Sequence, residues 1–347
     1  MSGGDALDFI GGCLNPTAGP ESADALRAAI VAGRPDWMAV VATANRHLLA
    51  PALWAALRDK DLTAHLPQDL HDYLHALYQL NGQRNVHLRQ QLEETVRQLN
   101  AAGIAPVLLK GAMALLTGAF DPAARMMLDL DILVPRRDLQ AALDALHALG
   151  YRADGQPQID YARHHHCPPL FRAGDYGSLE VHQDLLLPTA APILPTAAAW
   201  AQAEDLAVAG IRARVLSPTH QALYNVLHAQ IADLHHAAGT IDLRSLHNLA
   251  LIQAAWGEAI DWQAIRAAMD RHGKGGVLRA YLYLAWRLLG MAPPDGLRPD
   301  WRSRCHYARC RAQRRWAWAG GWIARLARSR QRFAAYYIHR RYGHTHS

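Results

Sequence analysis

Apolar and polar positions along the chain change period twice. From residue 21 to about 101, apolar residues recur at three- and four-residue spacing, beginning with Leu26, Ile30, Trp37, Val40 and Val41, which predicts helices. Pro35, Pro51 and Pro67 punctuate the first part into short helices, because proline cannot sit inside one. The longest helix is predicted over residues 68–101, with an apolar stripe of Leu77, Leu80, Val86, Leu88, Leu92, Val96 and Leu99. A break is expected at the turn-favouring pair Asn81-Gly82, and Gly103 is placed to end the helix.

In the middle of the chain the period shortens to two. The apolar run at residues 104–109 predicts a strand, followed by a helix from Gly111 and a turn at Asp121-Pro122. A second apolar run, residues 126–134, is broken only by Asp129 and Asp131. On a strand these carboxylates share one face, while Leu128, Leu130 and Ile132 take the other. A helix is predicted over residues 138–149 with Asp138 as its N-cap, and alternation at residues 178–182 predicts a third strand. Residues 188–195 read as a loop and 200–216 as a short strand pair. Ser217-Pro218 then opens a helical remainder: 218–237, 241–256, 261–272, 275–290 and 301–340. This order predicts an α+β fold, a small mixed sheet with helices on one side. Three segments follow: a helical cap (1–102), a sheet-bearing unit (103–216) and a C-terminal helical domain (217–347).

Composition adds limits. A chain of 347 residues that is 51% hydrophobic can bury a large core and reads as globular. The first residues lack the basic and apolar regions of a signal peptide, and no apolar run is long enough for a bilayer span. Cys13, Cys167, Cys305 and Cys310 form no close pair, so the reducing cytoplasm is the expected location. The net charge of +6 is uneven: residues 301–347 hold twelve Arg and no acid, leaving a net −6 on the remainder.

Two like charges on a short greasy strand are costly unless a cation lies between them, which is the arrangement of a magnesium site that also grips phosphate. The motif Leu109-Lys110-Gly111 followed by Arg125-x-x-x-Asp129-x-Asp131-x-Leu133-Val134 resembles the bacterial family of uncharacterised nucleotidyltransferases. That family sits within the superfamily whose palm is polymerase-β-like. The resemblance centres on residues 103–187. It implies a polymerase-β-like core in segment 103–216 and transfer of a nucleoside monophosphate from an NTP, with ATP expected, to an unidentified acceptor that is a small molecule, peptide or protein.

It also implies roles for particular residues. Asp129, Asp131 and a third carboxylate, for which Glu180 is the candidate, would hold two magnesium ions. Read without that context, Asp129 and Asp131 are a polar edge face and Glu180 a solvated strand residue. Lys110 and Gly111 would receive the triphosphate at a helix start. The superfamily usually has Gly or Ser after this Gly; here Ala112 follows, and Lys110 could supply charge instead of the hydroxyl. Arg125 could clamp phosphate or pair with Asp129 in the resting state.

His182 shares the Glu180 face and is a candidate catalytic residue, either taking the acceptor proton or orienting Glu180. His166 would border the site. The tract His164-His165-His166-Cys167 lacks the ligand spacing of structural zinc. His228 and Asn248 read as packing or capping positions. The tail interleaves Arg with Trp301, Trp316, Trp318 and Trp322, which suits nucleic acid, an anionic membrane or docking on the acidic body. A helical stripe of Trp316, Gly320, Ile323 and Ala327 favours docking. Two rival readings remain open: a regulatory, antitoxin-like nucleotidyltransferase acting on a partner protein, and a degenerate nucleotide- or nucleic-acid-binding module.

Overall fold

Helix-forming stretches broken by proline give four short helices at the start of the chain: α1 (Ala6–Leu14), α2 (Pro20–Val31), α3 (Trp37–Arg46) and α4 (Ala50–Asp59). The computed structural model describes residues 5–153, 165–208 and 210–315. The long helix α5 (Gln68–Ala101) leads to strand β1 (Val107–Leu108), helix α6 (Lys110–Thr117), β2 (Asp129–Leu133), α7 (Leu139–Ala148), β3 (Arg152–Ala153) and β4 (Leu170–Phe171). Then come β5 (Ser178–His182), α8 (Thr196–Ala201), β6 (Glu204–Val208) and β7 (Ile211–Val215). The helical remainder is α9 (Pro218–Leu227), α10 (His235–Ala238), α11 (Leu243–Trp256), α12 (Trp262–Arg271), α13 (Gly275–Leu289) and α14 (Trp301–Arg315). Among the described residues no helix is long and apolar enough to cross a membrane.

The strands form one mixed sheet in the order β3-β4-β5-β2-β1-β7-β6, so the architecture is α+β. The alternation of β2 and β5 decides what each sheet face does. Leu130, Ile132, Leu179 and Val181 are fully buried under α5, α6 and α7, in a core with Leu88, Leu92 and Val96. The Asp-bearing face turns the other way, and Leu133 and Val107 on that side belong to a second core shared by the N- and C-terminal helices, including Leu7, Leu53, Leu249 and Leu282. Leu128, expected among the inward residues, precedes β2 and is 58% exposed.

The predicted break at Asn81-Gly82 does not occur: α5 is continuous over 34 residues. Its buried face runs through polar positions, with Leu74, Asn81, Asn85 and Leu88 buried, while Leu80 and Val86 from the predicted stripe are exposed. The reason is the loop ahead of β2. Asn81 Nδ2 donates to the Ala123 and Arg125 carbonyls (2.7 and 3.1 Å), and Asn85 Nδ2 donates to the Pro122 carbonyl and, at 2.7 Å, to Arg125. Arg84 donates to the Met127 and Tyr176 carbonyls. A Cβ at Gly82 would lie 3.1 Å from the Ala123 Cβ, so that glycine admits the loop. Buried backbone oxygens need partners, and one helix face supplies them. Asn85→Ala is expected to cost about 2 kcal/mol of folding stability, read as a lower urea midpoint; an unchanged midpoint would mean the loop is held by other contacts.

Two further corrections concern helix ends. Asp138 precedes α7 but its side chain makes no capping bond, whereas Ser217 caps α9 through His220 N. The expected helix over 218–237 ends at Leu227, passes into a π turn (His228–Ala232) and restarts after Leu234, which is left-handed at φ 62°. Such turns cluster at functional sites. In α14, Arg311 grips Asp8 with two bonds (2.6 and 2.8 Å) and Arg314 pairs with Asp5 at 3.0 Å, docking the start of the Arg-rich tail on α1. The stripe from Trp316 onward lies outside the described residues.

Candidate active site

Strand pairing brings the acids together. β2 and β5 run parallel with Asp131 opposite Glu180 and Leu133 opposite His182. Side-chain ligand atoms of Asp131, Glu180 and His182 lie within 4.8 Å of one another, a group able to hold a metal ion. Asp129 stands one step earlier on the same face, opposite Ser178, and falls outside that group. It lines the same cavity as Asp131, about 280 Å³ in volume, together with Lys110, Gly111 and Arg125. Glu180 and His182 are not on the cavity wall; they stand beside Asp131.

Crowding shapes the charge of these groups. Burial first, and the Asp131 charge second, push the Asp129 and Glu180 carboxyls above their ordinary values. Burial would raise Asp131 as well, but the Lys110 charge and the His182 hydrogen bond hold it well below its ordinary value. Lys110 Nζ lies 2.8 Å from Asp131 Oδ1. Burial works against its ammonium, yet the neighbouring Tyr224 hydroxyl and Asp131 carboxylate raise its pKa above that of an ordinary lysine. One lysine thus occupies the place of a cation among three carboxyls.

The backbone is bent to achieve this. Lys110 opens α6 in the left-handed region, φ 45°, a conformation that costs a non-glycine residue about 1 kcal/mol. Gly111 follows because a Cβ there would meet Met127 Sδ at 2.5 Å. That packing need is separate from the expected approach to phosphate, although Gly111 also lines the cavity. α6 has no side-chain cap.

Arg125 does not pair with Asp129. Its Nη1 donates to Asn248 Oδ1 at 2.6 Å, and its Nε is buried with no hydrogen-bond partner among the described residues. Burial, with Arg244 beside it, lowers its guanidinium to about 10, still charged at neutral pH. Asn248, read as packing from the sequence, is therefore what aims Arg125 in the resting state.

The rest of the wall comes from the C-terminal helices: Gln221, Tyr224, Asn225 and His228 of α9 and its π turn, then Asp233, Asp242, Arg244 and Asn248. His228 pairs with Asp233 at 2.9 Å, and Arg244 donates to the Met126 carbonyl at 2.7 Å. Sequence reading passed over most of these. The available signal was a polar stripe, Gln221, Asn225 and His228, at helical spacing in an otherwise apolar helix.

His182 is fully buried and donates Nε2–H to Asp131 Oδ1 at 3.0 Å, while Glu180 Oε2 is 3.8 Å away. It orients Asp131 rather than Glu180. Its Nδ1 is buried without a hydrogen-bond partner among the described residues. Burial lowers its pKa to about 4, so at neutral pH it is uncharged. The unfolded chain takes up this proton near pH 6.5 and the folded chain only near 4. The stability it contributes, about 3 kcal/mol, is complete above pH 6.5 and lost as pH falls toward 4. His182→Gln is expected to flatten the decline in urea stability between pH 7 and 4.5; equal slopes would mean the folded imidazole is charged. The rings of His165 and His166 lie 5.1 and 5.2 Å from that of His182, and His166 Nε2 is 3.9 Å from Glu180, so His166 borders the site. His164 lies outside the described residues.

One mixed sheet thus carries Asp-x-Asp on β2 and Glu on its parallel neighbour β5, with Lys-Gly at the start of α6. A family model described as "Uncharacterised nucleotidyltransferase" matches residues 33–290. The chain belongs to that family and is a transferase. Comparison with curated proteins gave no match.

Proposed function

We propose that the protein transfers a nucleoside monophosphate from an NTP, with ATP the expected nucleotide, to an acceptor hydroxyl or phosphate on a polymerase-β-like core formed by residues 103–216. The observation that supports this reading is Asp131, held against the Lys110 ammonium at the start of α6 and opposite Glu180 on the parallel strand, with Asp129 on the same face of β2. Two of these carboxyls are pushed up by crowding and burial, a donor set that a divalent cation would relieve. Asp129, Asp131 and Glu180 are the residues that would hold Mg²⁺. When bound, such ions lower the pKa of the acceptor hydroxyl and neutralise the leaving pyrophosphate.

The chain's own groups do the rest. Lys110 exchanges Asp131 for a phosphate oxygen, and Arg125 and Arg244 take further phosphate charge, with Gly111 on the same cavity wall. The acceptor oxygen forms its bond to the α-phosphorus as the bridge to the β-phosphate breaks. Pyrophosphate leaves, and the acceptor proton passes to solvent. Rate enhancement then rests on positioning and charge stabilisation. His182 positions Asp131 and remains neutral.

Incubation with α-labelled ATP and magnesium tests this. The expected products are pyrophosphate and a labelled monophosphate, on water or on an acceptor, with release abolished by EDTA. Formation of ADP and phosphate, or release indifferent to chelation, would sink the reading.

A further inference from the structure

A second cavity, about 420 Å³, lies between the N-terminal helices and α11, within the size range of small-molecule sites. It shares Phe120, Arg125, Arg244 and Asn248 with the nucleotide cavity, so the Arg125–Asn248 bond stands in the wall between the two. Its body is apolar, and alanines at positions 52, 55, 56, 119 and 124 leave the volume open.

The charge in this cavity is unbalanced. Lys60 lines it, and its Nζ donates only to the Asn15 carbonyl at 3.2 Å, with no ion pair among the described residues. Burial lowers its pKa, the expected mark of an ammonium short of compensation. The two lining acids are already engaged: Arg58 pairs with Asp59 (2.8 Å), while Asp121 accepts from the Tyr78 hydroxyl at 2.8 Å and from Arg58 at 3.4 Å. Arg125 and Arg244 on the shared wall bond to Asn248 and a backbone carbonyl instead of carboxylates. Burial first, then the charges of Arg125 and Lys60, lower the pKa of His247, also on the wall, to about 4.

We propose that this cavity is the acceptor site, and that the acceptor is a small hydroxyl-bearing molecule with an apolar body and an anionic group held by Lys60. The hydroxyl end then points to the Arg125–Asn248 wall and the nucleotide beyond it. This rests on the nucleotidyl-transfer reading for the acceptor role, but not for the binding itself. An apolar body is suited to the alanine-lined volume, and only an anion neutralises Lys60.

The test uses the full-length protein and calorimetric titration with benzoate, 2-naphthoate and 6-hydroxy-2-naphthoate, each against its neutral amide. The naphthoates are expected to bind one saturable site about tenfold more tightly than their amides. Lys60→Met should erase that preference, and Ala55→Phe should weaken acid and amide alike by tenfold or more. Both variants should keep the wild-type affinity for magnesium–ATP, which also reports that they are folded. In wild type, 6-hydroxy-2-naphthoate should accelerate pyrophosphate release. No saturable binding by any carboxylate, or binding unmoved by both substitutions, overturns the proposal. Carboxylate binding with no ATP turnover would keep the pocket and sink the transferase reading instead.

Discussion

Replacing Asp131 by Asn is expected to reduce magnesium-dependent pyrophosphate release about a thousandfold or more, a loss of about 4 kcal/mol of transition-state stabilisation. Asn is nearly isosteric, so the change removes charge and leaves shape. Asp131 is 1% exposed and its Oδ1 accepts from both Lys110 and His182, and it stands opposite Glu180 in the sheet. It is the acid that meets both Lys110 and His182. An amide cannot replace its charge toward either Lys110 or a divalent cation. Folding should survive, because the Lys110 side chain is 28% exposed and can reach water; the melting temperature checks this. A folded variant that keeps more than a tenth of wild-type turnover would remove Asp131 from the proposed machinery.

Lys110→Met should separate two effects that most site mutations confound. The ammonium stands 2.8 Å from Asp131 Oδ1 in the resting protein, where it competes with any added cation for the same oxygen. Without it, affinity for Mn²⁺ alone, read by water-proton relaxation, is expected to rise about tenfold, since opposite charges at this range in a half-buried site are worth at least about 1–2 kcal/mol. Turnover with ATP should nevertheless fall about a hundredfold, because the charge assigned to the leaving phosphates is gone. The two signs are opposed. A variant that loses metal affinity together with turnover would show Lys110 to be a scaffold for Asp131 rather than a resting substitute for the ion.

The aligned acids were legible before the fold because strand geometry is local. Period-two alternation alone puts Asp129 and Asp131 on one face, and the structure places Leu130 and Ile132 in the core behind them. Glu180 needed more: its choice depended on family resemblance, and the parallel pairing of β2 with β5 supplies the contact. For His182 the sequence left open a role toward the acceptor or toward Glu180, its neighbour on the strand, yet its hydrogen bond runs across the sheet to Asp131. Neighbours along a strand are closer in sequence than neighbours across it, although both are close in space.

Asn81 and Asn85 show the opposite failure. Asn81, with Gly82, read as a helix break, Asn85 was passed over, and Leu80 and Val86 read as core. A polar residue on a buried face is costly only when its partners are missing. Those partners, the carbonyls of Ala123 and Arg125, lie about forty positions away along the chain. Of the two readings open for Arg125, a phosphate clamp or a resting pair with Asp129, the second gives way to Asn248, which is brought to it only by packing of α11.

By itself, then, the sequence determined the longer elements, though not all their ends, and the side of β2 on which charge lies, because these depend on spacing of a few residues along one chain. Which acid meets which cation, what closes the cavity beside Lys110, and that a second cavity adjoins it were decided only by tertiary structure. These depend on long-range packing of helices against the sheet, and no local periodicity records a contact between residues a hundred positions apart.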